Sequence, residues 1–260
     1  MPPASRKAPL SELAARFFPE DDPKELYAAI LCGEITVNGE RARNPKARFP
    51  LDARIERLRK TYVGRGGVKL EGALRDFAVD PSGLVWLDAG ASTGGFTDCL
   101  LQHGASRVHA VDVGYNQLDW KLRSDPRVIV HERTNIMDLD RRRLEPPPAA
   151  AVADLSFRSL RGAASRLLDL TAGGLVIALV KPQFENPSEE DFDGVVRTRA
   201  ARFAVLRSLR DELPREGVHV VDAAPSAIRG RRGNAEFFLR LAAEPGDDAY
   251  VERRLTAALD

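Results

Sequence analysis

Cysteine is scarce in this chain. Cys32 and Cys99 are the only two in 260 residues, far apart and outside any CxxC spacing. That excludes a disulfide framework and a zinc cage, and leaves both as small buried hydrophobes. Histidine is nearly as sparse, and His103, His109, His131 and His219 show no metal-ligand spacing, so no metal site and no catalytic histidine are expected. No apolar run approaches the length that crosses a bilayer, and the opening Met1-Pro2-Pro3-Ala4-Ser5-Arg6-Lys7 lacks the apolar stretch of a secretion signal. The expectation is a cytoplasmic protein with no membrane partner. Low-complexity sequence is confined to Pro146-Pro147-Pro148.

What is present is a globular composition, 43% hydrophobic and 30% charged, in a chain long enough for one full α/β domain and a small appendage. The net charge of +1 averages over an uneven distribution. Between residues 41 and 69, ten basic side chains (Arg41, Arg43, Lys46, Arg48, Arg54, Arg57, Arg59, Lys60, Arg65, Lys69) face two acidic ones, Asp52 and Glu56. Such an excess is either a phosphate-binding surface or a solvated face of short β-structure.

Residues 10 to 32 carry apolar side chains at helical spacing (Leu10, Leu13, Ala14, Phe17, then Leu26, Ala29, Ile30), broken by Pro19 and Pro23, which predicts two short helices. Gly33 to Glu40 reads as a strand with an Asn38-Gly39 hairpin turn, followed by a further strand around 54–58. The expected organisation is a small module over 1–60, a linker over 61–67 and a larger domain over 68–260. In the larger part, a helix from Val68 to about Phe77 precedes strand-like runs at 84–88, 108–113, 150–154, 175–180, 218–223 and 237–241, with helix-length segments between them. This alternation predicts an α/β fold with a mostly parallel, doubly wound, Rossmann-like sheet, whose ligand sits off the carboxyl ends of the strands.

The first of these strands ends in Leu87-Asp88-Ala89-Gly90-Ala91-Ser92-Thr93-Gly94-Gly95-Phe96-Thr97, just before a helix predicted to start near Thr97. Its small residues let a ligand approach the backbone. The glycine spacing is not that of a dinucleotide binder, and the lysine of a phosphate-binding P-loop is absent. Asp112, at the end of the next strand and about 20 residues on, is placed to accept hydrogen bonds from a ribose. Loop and carboxylate together suit an adenosine-containing ligand.

These segments resemble the TlyA family. Asp88-Ala-Gly-Ala-Ser-Thr-Gly-Gly-Phe-Thr97 looks like its S-adenosylmethionine motif. Tyr62-Val-Gly-Arg-Gly-Gly-Val-Lys69, Ala110-Val-Asp112-Val-Gly-Tyr115, Leu122-Arg-Ser-Asp-Pro-Arg-Val128, Glu132-Arg-Thr-Asn135, Ala153-Asp154-Leu-Ser-Phe157, Leu179-Val-Lys181-Pro-Gln-Phe-Glu185 and Gly233-Asn-Ala-Glu236-Phe are similar to that family in the same order. The resemblance implies ribose 2′-O-methylation of ribosomal RNA, with cytidine as target, in a family whose members have also been labelled hemolysins. It implies a class I methyltransferase domain of FtsJ type that uses S-adenosyl-L-methionine. The N-terminal module is similar to an S4-like RNA-binding domain, but has Pro9-Leu10-Ser11-Glu12 in place of the usual Arg-Leu-Asp opening.

The resemblance also implies a Lys-Asp-Lys-Glu catalytic set, whose matching positions are Lys69, Asp154, Lys181 and Glu236. Lys181 directly follows the apolar run Leu175 to Val180, and Pro182 stops that run from continuing as a central strand. A neighbouring cation disfavours a charged ammonium and favours its basic form. Lys181 is therefore read as general base, Asp154 as its orienter, Glu236 as a lysine holder and Lys69 as the group steadying charge on the ribose oxygen. Taken singly, Lys69 could be a solvated charge and Asp154 a helix cap. Glu185 is read as an exposed loop acid. Donor contacts are expected from Asp88, Gly90, Ser92, Thr93, Gly94, Gly95, Phe96, Asp112, Asn135 and Asp154. RNA contacts are expected from Arg41, Arg43, Lys46, Arg48, Arg65, and Arg229, Arg231 and Arg232 of the Gly-containing loop before Glu236. Two other readings remain open: a membrane-active cytolysin, for which no spanning helix or barrel-like strand set is visible, and an RNA-binding ribosome assembly factor without catalysis.

Overall fold

The structure, a computed structural model, describes residues 6–31, 33–57, 62–156, 159–185 and 194–259. Cys32, Arg59, Lys60 and Phe157, all used in the sequence reading, lie outside the described residues. The chain divides into two compact units, Met1–Thr61 and Tyr62–Asp260.

The first unit runs β1 (Lys7–Pro9), α1 (Leu10–Phe17), α2 (Pro23–Leu31), β2 (Ile35–Val37), β3 (Glu40–Ala42), β4 (Arg48–Pro50) and β5 (Ile55–Arg57). Both helices form where the apolar spacing placed them. Leu10, Leu13 and Ala14 from α1 and Ile30 from α2 close over Ile35 and Val37 of β2. Asn38 and Gly39 both take positive φ, 53° and 86°, the backbone a two-residue hairpin turn requires. Strand β2 pairs antiparallel with β3 and with β5. The sequence reading missed one pairing, β1 with β4. Three-residue strands of Lys-Ala-Pro and Arg-Phe-Pro are too short and too rich in proline to show a period of two.

The second unit continues with α3 (Arg65–Asp76), β6 (Val85–Ala89), α4 (Gly95–Gln102), β7 (Arg107–Val111), α5 (Trp120–Arg123), β8 (Val128–His131), β9 (Ala150–Ala153), α6 (Ala164–Asp169), β10 (Leu175–Val180), α7 (Pro182–Glu185), α8 (Arg199–Glu212), β11 (His219–Pro225), β12 (Phe237–Ala242) and α9 (Asp248–Ala257). Seven strands form one sheet in the order β11-β12-β10-β9-β6-β7-β8. The five from β10 to β8 are parallel, while β12 runs antiparallel to both of its neighbours. The central runs are apolar because both faces are covered. One face packs Leu87, Ala151, Val176 and Leu239 against Leu167, Leu206 and Leu255. The other packs Trp86, Val152, Ile177 and Phe238 against Leu70, Phe96 and Leu100. Trp86 and Phe238 are fully buried, and truncating either to Ala would cost about 3–5 kcal/mol.

Some boundaries differ from the sequence reading. Helix α3 starts at Arg65 rather than Val68, because Gly66 and Gly67 sit in its first turn. Strand β7 stops at Val111 rather than Val113, because the Asp112 carboxylate turns back to accept the Gly114 N–H at 2.7 Å. Strand β8 is absent from that reading, since four residues between charged turns carry little period.

The chain leaves β6 towards β7 and β8 on one side and returns at β9 to build the other side. The order therefore reverses between β6 and β9, and a crevice opens beyond their carboxyl ends.

Candidate active site

The residues that follow β6, β7, β8 and β9 line a cleft of about 540 Å³ at this reversal: Gly90, Ser92, Asp112, Gln117, Asn135 and Asp154 are among them. That is the size of a small-molecule site. A second recess of about 120 Å³ shares Gly90, Ser92 and Asp154 with it and adds Gly66, Thr93, Gly95 and Phe96. Register explains the convergence. Ala89 of β6 pairs with Ala153 of β9, so Gly90 and Asp154 leave the sheet side by side. Gly90 has φ +83°, and a Cβ on it would lie 2.5 Å from the Asp154 carbonyl oxygen. Only glycine fits there.

Asp112 ties the cleft together. Its Oδ2 accepts the Ser92 N–H at 2.8 Å and its Oδ1 accepts the Gly114 N–H. Each carboxylate oxygen can accept a second bond, which leaves capacity on the cleft side for the hydroxyls of a ribose. Asp88 and Gly94 stand differently. Asp88 is fully buried behind the loop, where Oδ2 accepts Thr97 Oγ1 at 2.6 Å and Oδ1 has no hydrogen bond. Burial pushes its carboxyl up to about 7, with Asp154 and Asp112 adding to the rise. Gly94, at φ +97°, packs on Leu118 and Leu122. Neither lines the cleft or the smaller recess, whereas Gly90, Ser92, Asp112, Asn135 and Asp154 line the cleft and Thr93, Gly95 and Phe96 the recess.

Two lysine–carboxylate pairs stand at the same rim. Lys181 Nζ lies 2.5 Å from Asp154 Oδ1 and donates to Ser156 Oγ at 3.1 Å. The contact with Oδ1 is one of charge, since no directed hydrogen bond reaches that buried oxygen. Lys69 Nζ donates to Glu236 Oε2 at 2.5 Å. Val180 of β10 pairs with Phe237 of β12, so Lys181, one residue after the first, and Glu236, one before the second, leave the sheet as neighbours. Lys69 reaches Glu236 from the first turns of α3, whose Gly66 borders the smaller recess with Gly90 and Asp154. All four positions implied by the resemblance therefore meet at one edge.

Glu236 is held from behind. A Cβ on Gly230 would lie 1.8 Å from Glu236 Oε1. The loop between them is fastened by the Gly230 N–H to the Asn234 carbonyl at 2.9 Å, and by Asn234 Nδ2 to the Gly194 carbonyl at 2.8 Å. Arg229 and Arg232 of this loop are exposed, and exposed Arg65 of α3 donates to the Arg229 carbonyl at 3.1 Å. The side chain of Arg231 lies outside the described part of the structure. In the first unit Arg41, Arg43, Lys46 and Arg48 are exposed, with Arg48 donating to the Lys7 carbonyl at 2.6 Å.

Glu185 corrects the sequence reading. It is 9% exposed rather than a solvated loop acid. Its Oε2 accepts Ser159 Oγ at 2.5 Å and Arg161 Nη1 at 3.0 Å, and its Oε1 accepts the Leu160 N–H at 2.8 Å. Pro182 at a first helical position predicts the short helix, but nothing in the local sequence says that its last residue turns inward. Ser156, Gln117 and Gly230 were also missed, and their residue types carry no signal in isolation. Among the described residues no group of three or more His, Cys, Asp or Glu could hold a metal ion. His109 and His131 instead face each other at 3.0 Å inside the sheet's flank, where burial, His109 and Arg143 hold His131 down at about 4.

A seven-stranded sheet of this order, with a glycine loop after its first strand and an acid after its second, defines a Rossmann-like methyltransferase of the class that uses S-adenosylmethionine. The model of the FtsJ-like methyltransferase family matches residues 62–243. A Mycobacterium tuberculosis protein named 16S/23S rRNA (cytidine-2'-O)-methyltransferase TlyA is 43% identical over 190 residues, 70% of this chain and 69% of that one. Hemolysin A of Brachyspira hyodysenteriae is 36% identical over 212 residues, covering 80% and 88% of the two chains. A solved structure from Streptococcus thermophilus, titled a hemolysin, superposes with a TM-score of 0.75 at 34% identity, over 98% of this chain and 95% of that one. The chain belongs to the TlyA family of FtsJ-like methyltransferases.

Proposed function

We propose that the protein methylates a ribose 2′-hydroxyl of ribosomal RNA, at cytidine in the small subunit, the large subunit or both, with S-adenosyl-L-methionine as donor. The observation that carries the reading is the pair of lysine–carboxylate contacts at the strand ends beside the cleft. The names of the curated relatives support the substrate. Residues 1–60 act as an S4-like RNA-binding domain through Arg41, Arg43, Lys46 and Arg48, residues 61–67 as linker, and residues 68–260 as the catalytic domain. Arg65, Arg229, Arg231 and Arg232 grip phosphates near the reacting ribose. Ribosomal subunits as partners place the work in the cytoplasm. Among the described residues no helix is long and apolar enough to cross a membrane.

The cleft fits the donor: Asp112 has free acceptor capacity for a ribose, Gly90 leaves space that any Cβ would fill, and Asp154 and Asp112 supply negative charge for a cationic ligand. When bound, the donor supplies a methyl group on a positively charged sulfur. Asp112 and Asn135 hold the nucleoside, and the backbone of 90–95 carries the amino-acid end. Lys181 takes the proton of the attacking hydroxyl, whose own acidity is far too weak at neutral pH. Asp154, at 2.5 Å, orients Lys181 and balances the ammonium that results. Lys69, held by Glu236, stabilises negative charge as it develops on the ribose oxygen. These assignments are tested by incubating unmodified ribosomal subunits with labelled donor and mapping the product by mass spectrometry. A 2′-O-methyl nucleotide that disappears with Lys181→Ala, while RNA binding is kept, supports the reading. A methylated base, or no transfer by the intact chain, overturns it.

A further inference from the structure

Lys181 is followed at once by the single turn α7, and that turn ends in a carboxylate with unusual surroundings. Three consecutive residues, Ser159, Leu160 and Arg161, each direct a donor at Glu185. These residues belong to the segment that leaves β9 through Asp154. Arg161 continues outward, donating through Nε to Glu212 at 2.7 Å and through Nη2 to Ser208 at 2.7 Å on α8. Lys181 and Asp154 therefore sit on two chain segments tied at two points, their own contact and the Glu185 knot. Lys181, Phe184, Glu185, Leu155 and Leu160 enclose a gap of only about 10 Å³, at the lower limit of what holds one water.

Packing alone does not call for a charge here. Burial pushes the Glu185 carboxyl above its ordinary range, even against three donors, one of them the Arg161 guanidinium. Well-packed apolar side chains in place of a buried ion pair are often neutral or stabilising. What an apolar pair lacks is direction: three hydrogen bonds fix where α7 ends, and through that single turn where the Lys181 side chain starts. We propose that Glu185 is a positioning residue of this active site, which sets the approach of Lys181 to Asp154 by tying α7 to the segment after β9 without touching donor or RNA. This rests on the reading of Lys181 as the group that handles the ribose proton.

Two variants of the full chain test it: Glu185→Gln, and the double variant Glu185→Gln with Arg161→Met, which leaves no buried charge unpaired. Their kcat and KM are measured on ribosomal subunits, their Tm by calorimetry, and the titration of Lys181 through its carbon-13-labelled Cε by NMR. The expected result for Glu185→Gln is a kcat lower by about a hundredfold, the effect of an ångström-scale misplacement. Both KM values stay within about threefold, since ground-state binding is untouched. In the double variant Tm returns towards that of the parent while kcat does not, and the Lys181 titration midpoint moves in both. Recovery of kcat together with Tm would mean that Glu185 only stabilises the fold, and would overturn the proposal, as would an unmoved Lys181 midpoint or an unchanged kcat. A midpoint that moves in a chain whose parent never methylates RNA supports the placement of Lys181 and defeats the enzymatic reading alone.

Discussion

The two lysine–carboxylate pairs look equivalent on paper and differ in surroundings. In the Lys69–Glu236 pair the carboxylate side chain is 3% exposed and pressed against Gly230. In the Lys181–Asp154 pair the carboxylate is 26% exposed, borders both donor recesses, and shares its lysine with Ser156. A sealed pair holds a charge in place, whereas a pair that opens on a cleft can exchange protons with what enters it. On the proposed reading the second pair moves the proton and the first holds a fixed charge beside it.

The largest expected effect sharpens that contrast directly. Lys181→Met lowers kcat by about a thousandfold, the contribution of a general base, with KM for donor little changed and a smaller loss of stability than at the sealed pair, since the Asp154 side chain is 26% exposed. Single-turnover assays and calorimetry read both. At the sealed pair a stability loss is added to the loss of rate: Lys69→Met strands a buried carboxylate and costs about 3–5 kcal/mol of stability, seen as a lower denaturant midpoint. Equal stability losses in the two variants would erase the distinction.

Asp88 provides a sealed carboxylate with no cation. Its folded carboxyl stands at about 7 against 3.8 for the free group. Below about pH 4 both folded and unfolded chains hold the proton; between about 4 and 7 only the folded chain does; above about 7 both have lost it. The parent therefore loses stability relative to Asp88→Asn as pH rises from about 4 to 7, by at most about 4 kcal/mol, and the gap is flat beyond. Paired urea melts across that range check it, and a gap constant with pH would refute it. The smallest effect is at the open end of the cleft. Asp112→Asn keeps one acceptor and weakens donor binding by about tenfold, measurable by calorimetric titration without RNA.

Much of the larger unit was legible because its strands are short apolar runs between turns, and β10 falls where the run Leu175–Val180 placed it. Lys181 was legible for the same reason, a charge abutting a buried strand. Asp112 could be read from its distance to the glycine loop. Less could be read wherever meaning depends on tertiary register. No local signal distinguishes Glu185 inside a knot from Glu185 in solvent, and Asp88 reads as a ligand contact until Thr97 and the loop are seen to close over it. The direction of β12 is equally silent in sequence, because an apolar run looks the same read either way.

That direction carries a consequence of timing. Because β12 enters the sheet upside down relative to β10, a residue preceding it shares an edge with residues that follow the parallel strands, and it slots between two strands made earlier. A growing chain can assemble the donor cleft from residues 85–156 long before Glu236 emerges from the ribosome. Until that final strand is inserted, Lys69 lacks its counter-charge, so the two lysine–carboxylate pairs are completed in sequence order, the Asp154 pair first and the Glu236 pair last.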